Sequence, residues 1–195
     1  MPTPLNISGS RAAAVLGLSE YRTPLNVWLE IMENKEPGFC AKNNYFYEPF
    51  EGNSSTRWGS AFESAIIELT EEKLNAKLTD REKYFQKDYL SCHVDAIIDG
   101  NILYEAKTTT QFSFSNSWGE PGTDRIPSSY QIQVQHNLLL TGLDKCILSV
   151  LVFPKRVEEW EEMGIEIIKT EFDQYNIKYP NCEYYDHVDD WAIPL

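Results

Sequence analysis

Residues 92–107 read CHVDAIIDGNILYEAK, and this stretch predicts a β-hairpin. Two apolar runs, residues 94–98 and 102–104, flank the triplet Asp-Gly-Asn, which is a strong signal for a tight turn between strands. Side chains alternate between the two faces of a strand, so Glu105 and Lys107 emerge on the same face. The hairpin therefore presents a carboxylate and an ammonium side by side.

A second carboxylate, that of Asp95, lies near Glu105 if the hairpin is in register. Two carboxylates and one ammonium on one face are compatible with a site of metal-dependent hydrolysis. The carboxylates offer the hard oxygen ligands that Mg²⁺ prefers, and Lys107 orients a water or helps to deprotonate it. The alternative is a solvated strand face whose charges protect an edge against aggregation. The hairpin alone leaves both interpretations open.

The composition is that of an ordinary globular protein. With 195 residues, 42% of them hydrophobic, the chain is long enough to bury a core, and we expect one domain over residues 1–195. No apolar run approaches the length of a membrane span, and no signal-peptide pattern opens the sequence. We therefore expect a cytoplasmic protein with no membrane partner. The four cysteines form no CxxC pair, so their spacing does not support structural zinc or an iron–sulfur cluster.

The net charge of −13 is unfavourable for a protein that binds a polyanion. Non-specific binding to phosphates requires local lysine and arginine, and a strongly acidic surface repels nucleic acid. A bound Mg²⁺ offsets part of the charge, and a basic channel can coexist with an acidic exterior. The charge therefore counts against nucleic-acid binding without excluding it.

A short helix is predicted within residues 7–17, where Ser8 or Ser10 caps the N-terminus and Gly17 ends the helix. The free N–H groups of such a terminus, with Ser10 and Arg11 beside them, are suited to hold a phosphate. A plain capping motif explains the same residues and is the interpretation that local sequence favours.

A long helix is predicted from about residue 56 to 76, with an apolar stripe that faces the core. On this helix Glu63 lies among small residues, which permits another element to approach closely. Residues 108–126 are polar and contain glycine and proline, so we expect a long loop at the mouth of the hairpin site.

Another helix is predicted from Pro127 or Ser128 to about Gly142, and it places Tyr130 and Gln133 on one side. A glutamine amide both donates and accepts hydrogen bonds without carrying charge, which suits a phosphate oxygen or a metal-bound water. A merely polar helix face is an equally good explanation. Residues 145–153 then form a nearly continuous apolar run and predict a buried strand.

Four blocks of sequence, taken together, resemble the phage lambda exonuclease and YqaJ-type viral recombinase family of the PD-(D/E)xK nuclease superfamily. They span residues 7–19, 57–63, 95–108 and 126–142, and they occur in the order and at the approximate separations of the family. The resemblance implies an α/β (α+β) fold with a restriction-endonuclease-like core, in which helices flank a central mixed β-sheet.

The same resemblance implies a role for each matching residue. It makes Asp95 and Glu105 the main ligands of Mg²⁺ or Mn²⁺, with Glu63 as a nearby carboxylate, and it makes Lys107 the catalytic lysine. It places Gln133 and Tyr130 against the substrate and gives Ser10 to the 5′-phosphate of the DNA. Arg11 is a phosphate contact by the helix pattern alone, because no residue clearly matches the phosphate-binding arginines of the lambda-like enzymes. It further implies double-stranded DNA ends as substrate, a single-strand annealing protein as partner, and a homo-oligomeric ring trimer.

The chain departs from the family pattern around the first aspartate. Val94 replaces the usual proline, Ala96 the usual glycine, and His93 a serine of the lambda-like enzymes. The sequence as a whole predicts a metal-dependent DNA exonuclease of a phage-type recombination system, acting on linear double-stranded DNA. The alternatives are a non-catalytic acidic partner or inhibitor on a nuclease scaffold, and a PD-(D/E)xK endonuclease that cuts within DNA.

Overall fold

The computed structural model of this chain describes residues 6–120, 123, 125–154, 158–159, 166–169 and 175–178. The helices are α1 (Gly9–Val15), α2 (Pro24–Lys35), α3 (Phe39–Lys42), α4 (Ser54–Leu74), α5 (Gln111–Ser117) and α6 (Ser128–Thr141). The strands are β1 (Ile7–Ser8), β2 (Leu78–Thr79), β3 (Lys83–Lys87), β4 (Leu90–Val94), β5 (Ala96–Ile98), β6 (Ile102–Thr110), β7 (Cys146–Phe153), β8 (Glu166–Lys169) and β9 (Tyr175–Lys178).

The central sheet has the order β2-β5-β6-β7. It is mixed, because β5 pairs antiparallel with β2 and β6 whereas β7 runs parallel to β6. A second sheet, β1-β4-β3, lies beside it, and β8 pairs with β9 in a separate hairpin. Helices flank the sheets, so the predicted fold class is confirmed.

The core lies on both faces of the β5–β6 hairpin. On one face, Trp58 and Ile66 of α4 pack against Tyr104 and Phe153 of the sheet. On the other face, buried Leu103 packs in a cluster that includes side chains of α6. Alternation along β6 therefore points residue 104 toward α4 and residues 103, 105 and 107 toward α6.

The hairpin is confirmed, with Ala96 opposite Tyr104 and Ile98 opposite Ile102. Its first apolar run, however, is not one strand, because β4 ends at Val94 and β5 begins at Ala96. These strands belong to different sheets, and Asp95 lies at the junction. The long predicted helix is also confirmed as α4, and its N-cap Asn53 accepts a hydrogen bond from the Thr56 backbone N–H at 2.9 Å.

The prediction of a loop over residues 108–126 is wrong in its first part. Strand β6 continues to Thr110, which pairs with Phe153 of β7, and helix α5 follows directly. The Thr110 side chain accepts a hydrogen bond from the Ser113 backbone N–H at 3.3 Å and caps this helix. β-Branched threonines favour the extended ladder, and a threonine at the N-cap then favours the helix start.

Within the described residues, no helix is long and apolar enough to cross a membrane. The expectation of a single domain over residues 1–195 stays a prediction, since it includes residues 179–195, which lie outside the described part of the chain.

Candidate active site

Asp95 reaches from the junction of β4 and β5 to the neighbouring strand. Its Oδ2 atom accepts a hydrogen bond from the backbone N–H of Ala106 at 2.7 Å. Ala106 lies between Glu105 and Lys107 on β6, so this bond fixes the Asp95 carboxylate beside both of them. The break between two sheets thus serves to aim a carboxylate at the hairpin.

Glu105 is the centre of the site and is 1% exposed. Its Oε1 atom accepts hydrogen bonds from Lys107 Nζ and from Gln133 Nε2. Its Oε2 atom accepts one from Asn137 Nδ2 at 3.2 Å. A buried carboxylate is costly unless charged or polar partners satisfy it, and here the donors come from β6 and from α6. Glu105 is therefore held in one orientation by two elements.

Lys107 remains a cation in this environment. Burial alone would lower the pKa of its ammonium group, but the carboxylates of Glu105 and Asp95 outweigh burial and raise the pKa above its ordinary value. The Nζ atom also lies 5.7 Å from the centre of the Tyr130 ring, where the negative face of the ring attracts a cation. The ammonium group is therefore protonated at neutral pH.

The three carboxylates of the site are harder to ionise than ordinary ones. Burial raises the pKa of Asp95 and of Glu105, and Lys107 counteracts part of the increase in each. Burial, together with the nearby charge of Asp95 and of Glu82, raises the pKa of Glu63 to about 7. Glu63 extends from α4, so negative charge from separate elements converges on this region, which favours a cation there.

The donor set fits a divalent metal ion of the Mg²⁺ type. Asp95, Glu105 and Glu63 could provide hard oxygen ligands, and the hydrogen bonds from Gln133 and Asn137 orient Glu105. Throughout the part of the chain that the structure describes, no three His, Cys, Asp or Glu side chains form a ready-made metal cage. Mg²⁺ usually keeps several waters and binds through one or two carboxylates plus substrate phosphates, so a full cage is not required.

Helix α6 brings Tyr130 and Gln133 to the hairpin, as the sequence predicted. Tyr130 is near Lys107, and Gln133 bonds to Glu105. Ser10 is exposed in the first turn of α1, and its Oγ lies 3.0 Å from the Ser8 Oγ. Ser8 is the N-cap residue of α1, but its side chain makes no capping hydrogen bond.

Arg11 is placed differently from the expected phosphate contact. It is 4% exposed, donates a 2.8 Å hydrogen bond to the Asn6 carbonyl, and forms a 2.7 Å ion pair with Glu30 of α2. Glu30 also pairs with Arg22. The physical reason for the difference is that the guanidinium points into the protein and joins α1 to α2, so it is engaged in the fold.

Two residues of the site were missed by sequence reasoning. Asn137 is 1% exposed and follows Gln133 by one helical turn, so its position on the α6 face was the available signal. Gly9 begins α1 and lies against α6. A Cβ atom at Gly9 would overlap Asn137 Oδ1 and come within 3.2 Å of Gln133 Cγ. The glycine therefore allows α1 to pack directly over the residues that hold Glu105.

The chain is similar to known proteins over most of its length. The sequence model of the YqaJ-like viral recombinase domain matches residues 4–144. Uncharacterized protein YqaJ of Bacillus subtilis (strain 168) is 26% identical over 183 residues, which cover 88% of this chain and 53% of that protein. The chain thus spans about half the length of this curated relative.

Two solved structures have a similar fold. One is the alkaline exonuclease LHK-Exo from Laribacter hongkongensis, with a TM-score of 0.55 and 14% identity, covering 89% of this chain and 76% of that one. The other is a phage related exonuclease from Haemophilus somnus 129PT, with a TM-score of 0.55 and 16% identity, covering 80% of this chain and 72% of that one. At these identities the similarity establishes the fold alone.

Proposed function

Because this chain belongs to the YqaJ-like viral recombinase domain family, we propose that it is a metal-dependent exonuclease that acts on linear double-stranded DNA. The observation that carries the proposal is the arrangement around Glu105. This buried carboxylate is held by Lys107, Gln133 and Asn137, while Asp95 is fixed on the adjacent main chain. Metal-assisted hydrolysis of a phosphodiester uses oxygen ligands of this kind, and a neighbouring cation stabilises the charge that develops on the phosphate.

Asp95 and Glu105 would hold the metal, Mg²⁺ or Mn²⁺, and Glu63 would contribute a further carboxylate. When bound, the divalent cation supplies a Lewis acid for the phosphate and lowers the pKa of a water that attacks it. The chain itself contributes the fixed orientation of the ligands. Asp95 cannot turn away without losing its bond to the Ala106 N–H, and Glu105 cannot turn without losing bonds to α6.

Lys107 has the role of a charge stabiliser. Its raised pKa keeps the ammonium protonated at neutral pH, so it can orient the nucleophile and neutralise charge that develops on the phosphate oxygens. Tyr130, Gln133 and Ser10 would face the DNA from α6 and α1.

We also propose a biological role, a protein partner and an oligomeric state for this enzyme. We retain, from the family resemblance, a phage-type recombination system, a single-strand annealing protein as partner and a ring trimer as assembly. Gel filtration with light scattering tests the trimer, since it separates one copy of the 22.5 kDa chain from three.

The test of the activity compares linear duplex DNA with closed circular DNA of the same sequence. We expect Mg²⁺ or Mn²⁺ to support release of nucleotides from the linear form only, and EDTA to stop it. Linear substrates labelled at the 5′ or the 3′ end, with and without a 5′-phosphate, then give the polarity and the end preference. Cutting of the circle would replace the exonuclease by an endonuclease, and no cutting of either form would sink the proposal.

A further inference from the structure

A cavity of about 320 Å³ lies between helix α5 and the segment that follows it. Its wall includes Phe114, Trp118 and Arg125, together with the polar side chains of Gln111 and Ser115. The proposed hydrolysis uses none of these residues. The cavity combines aromatic faces and neutral hydrogen-bonding groups with one cation, Arg125, and one exposed carboxylate, Glu120.

A row of aromatic side chains lies between this cavity and the proposed catalytic site. The Tyr130 ring, which lies 5.7 Å from Lys107 Nζ, is 5.6 Å from the Trp118 ring. The Trp118 ring in turn lies 6.0 Å from the Phe114 ring, with an interplanar angle of 22°. A strand whose phosphodiester lies at Lys107 would therefore carry its neighbouring nucleotide along Tyr130 toward Trp118.

The cavity wall is held in place by main-chain contacts. The backbone N–H of Gly119 donates a 2.6 Å hydrogen bond to the Arg125 carbonyl, which holds these two residues side by side. A Cβ atom at Gly119 would overlap the Arg125 side chain, so these two residues approach as closely as a glycine permits. Arg125 itself is exposed and is available to a phosphate at the rim.

We propose that this cavity binds an unpaired nucleobase of single-stranded DNA, the strand being the one that enters or leaves the catalytic site, and that the base stacks on Trp118. The inference rests on the proposed function, because DNA is its substrate. It also addresses the acidic charge of the chain. Stacking on an aromatic ring does not depend on net charge, whereas binding through phosphates alone does.

Binding of fluorescent oligothymidylate, measured by anisotropy in EDTA to prevent hydrolysis, tests the proposal. The comparison is with an abasic oligonucleotide of equal length and equal phosphate charge. We expect wild type to bind the abasic strand roughly 5- to 150-fold more weakly, the range that corresponds to loss of about 1–3 kcal/mol of stacking. Equal binding of the two strands, or no binding of either, would overturn the inference.

Variants locate the base. Trp118→Ala should weaken binding of oligothymidylate and remove its advantage over the abasic strand, whereas Trp118→Tyr should keep most of the advantage. Phe112→Ala is the matched control. Phe112 lies on helix α5 and is 79% exposed, but it does not line the cavity. An advantage that survives Trp118→Ala, or that disappears in Phe112→Ala, would place the base elsewhere and contradict the proposal.

The two proposals fail in different ways. If wild type binds bases at Trp118 but cleaves no DNA in Mg²⁺ or Mn²⁺, the proposed hydrolysis is wrong and the binding site stands. If wild type cleaves linear DNA but does not distinguish oligothymidylate from the abasic strand, the hydrolysis stands and the base site is wrong.

Discussion

The side-chain amide of Asn137 donates a 3.2 Å hydrogen bond to Oε2 of Glu105 from a position that is 1% exposed. On its other side, the Oδ1 atom of Asn137 is buried and accepts no hydrogen bond from the described residues. A buried polar group left partly unsatisfied is costly, and the bond to Glu105 offsets part of that cost. Asn137 is thus a positioning residue for a proposed metal ligand.

We expect Asn137→Leu to lower the cleavage rate about 10- to 100-fold, the usual effect of removing a group that orients a metal ligand. The concentration of Mg²⁺ needed for half-maximal rate should rise as well, because Glu105 loses a donor that fixes it. Rates measured across a Mg²⁺ titration check both expectations. Leu139→Ala, at a 68% exposed position of the same helix, is the control and should match wild type. An Asn137→Leu enzyme with the wild-type rate and Mg²⁺ dependence would show that the bond is incidental.

Gly9→Ala should separate α1 from α6. The added methyl group would overlap Asn137 Oδ1, and overpacking of this kind costs about 1–3 kcal/mol. Urea unfolding gives the change in the free energy of unfolding. Gly59→Ala is the matched control, since its Cβ would meet Thr108 Oγ1 at 3.4 Å, an ordinary contact, and alanine favours a helix by up to about 1 kcal/mol over glycine. Equal stability of the two variants would mean that α1 does not pack on α6 as described.

Glu30→Ala should destabilise the protein by about 3 kcal/mol, because it leaves the buried Arg11 guanidinium without its carboxylate. Lys42→Ala breaks the exposed pair with Glu36 and should cost at most about 1 kcal/mol.

Burial opposes ionisation of Glu30, but its bonds to Arg11 and Arg22 outweigh burial and lower its pKa. The stability that this carboxylate gives is therefore present above its unfolded pKa and lost as the pH falls through the lowered value. The difference between wild type and Glu30→Ala should shrink in acid, and a difference that grows there would contradict this.

Glu63 should make the metal-free protein less stable as the pH rises. Burial and neighbouring carboxylates raise its pKa from 4.5 to about 7, so the folded state holds a proton that the unfolded state has released between these values. Glu63→Gln should therefore raise the midpoint of thermal unfolding at pH 8 in EDTA, by about 2–4 °C if the gain is about 1 kcal/mol, and raise it less at pH 5. Glu68→Gln, at an exposed position of the same helix, serves as control. An equal shift of the unfolding midpoint at pH 8 and at pH 5 would show that folding does not raise the pKa of Glu63.

Local sequence was sufficient to predict the hairpin and the helix face that form the candidate site. The turn triplet set the register of the hairpin, and alternation along β6 then placed Glu105 and Lys107 on one face. Spacing along α6 similarly predicted that Tyr130 and Gln133 share a side. These features depend on residues close in sequence, for which the periods of strand and helix are reliable guides.

Contacts between distant residues were not predictable in this way. Arg11 lies among small residues in a helical pattern, and only the fold shows that it forms an ion pair with Glu30 on another helix. The break at Asp95 is invisible in the sequence because the apolar pattern continues through it, although β4 and β5 belong to different sheets. Asn137 gave no signal beyond its helical position, since its role depends on the approach of Glu105 from β6.

The rate of nucleotide release from linear duplex DNA in Mg²⁺, compared between wild type and Asp95→Asn, tests the central claim most directly. Asparagine keeps the size of the side chain and can still accept the hydrogen bond from the Ala106 N–H, so the fold should persist, as circular dichroism would show. The account predicts that wild type releases nucleotides and that the folded variant falls by at least about 100-fold. A folded Asp95→Asn protein that degrades DNA at the wild-type rate would contradict it.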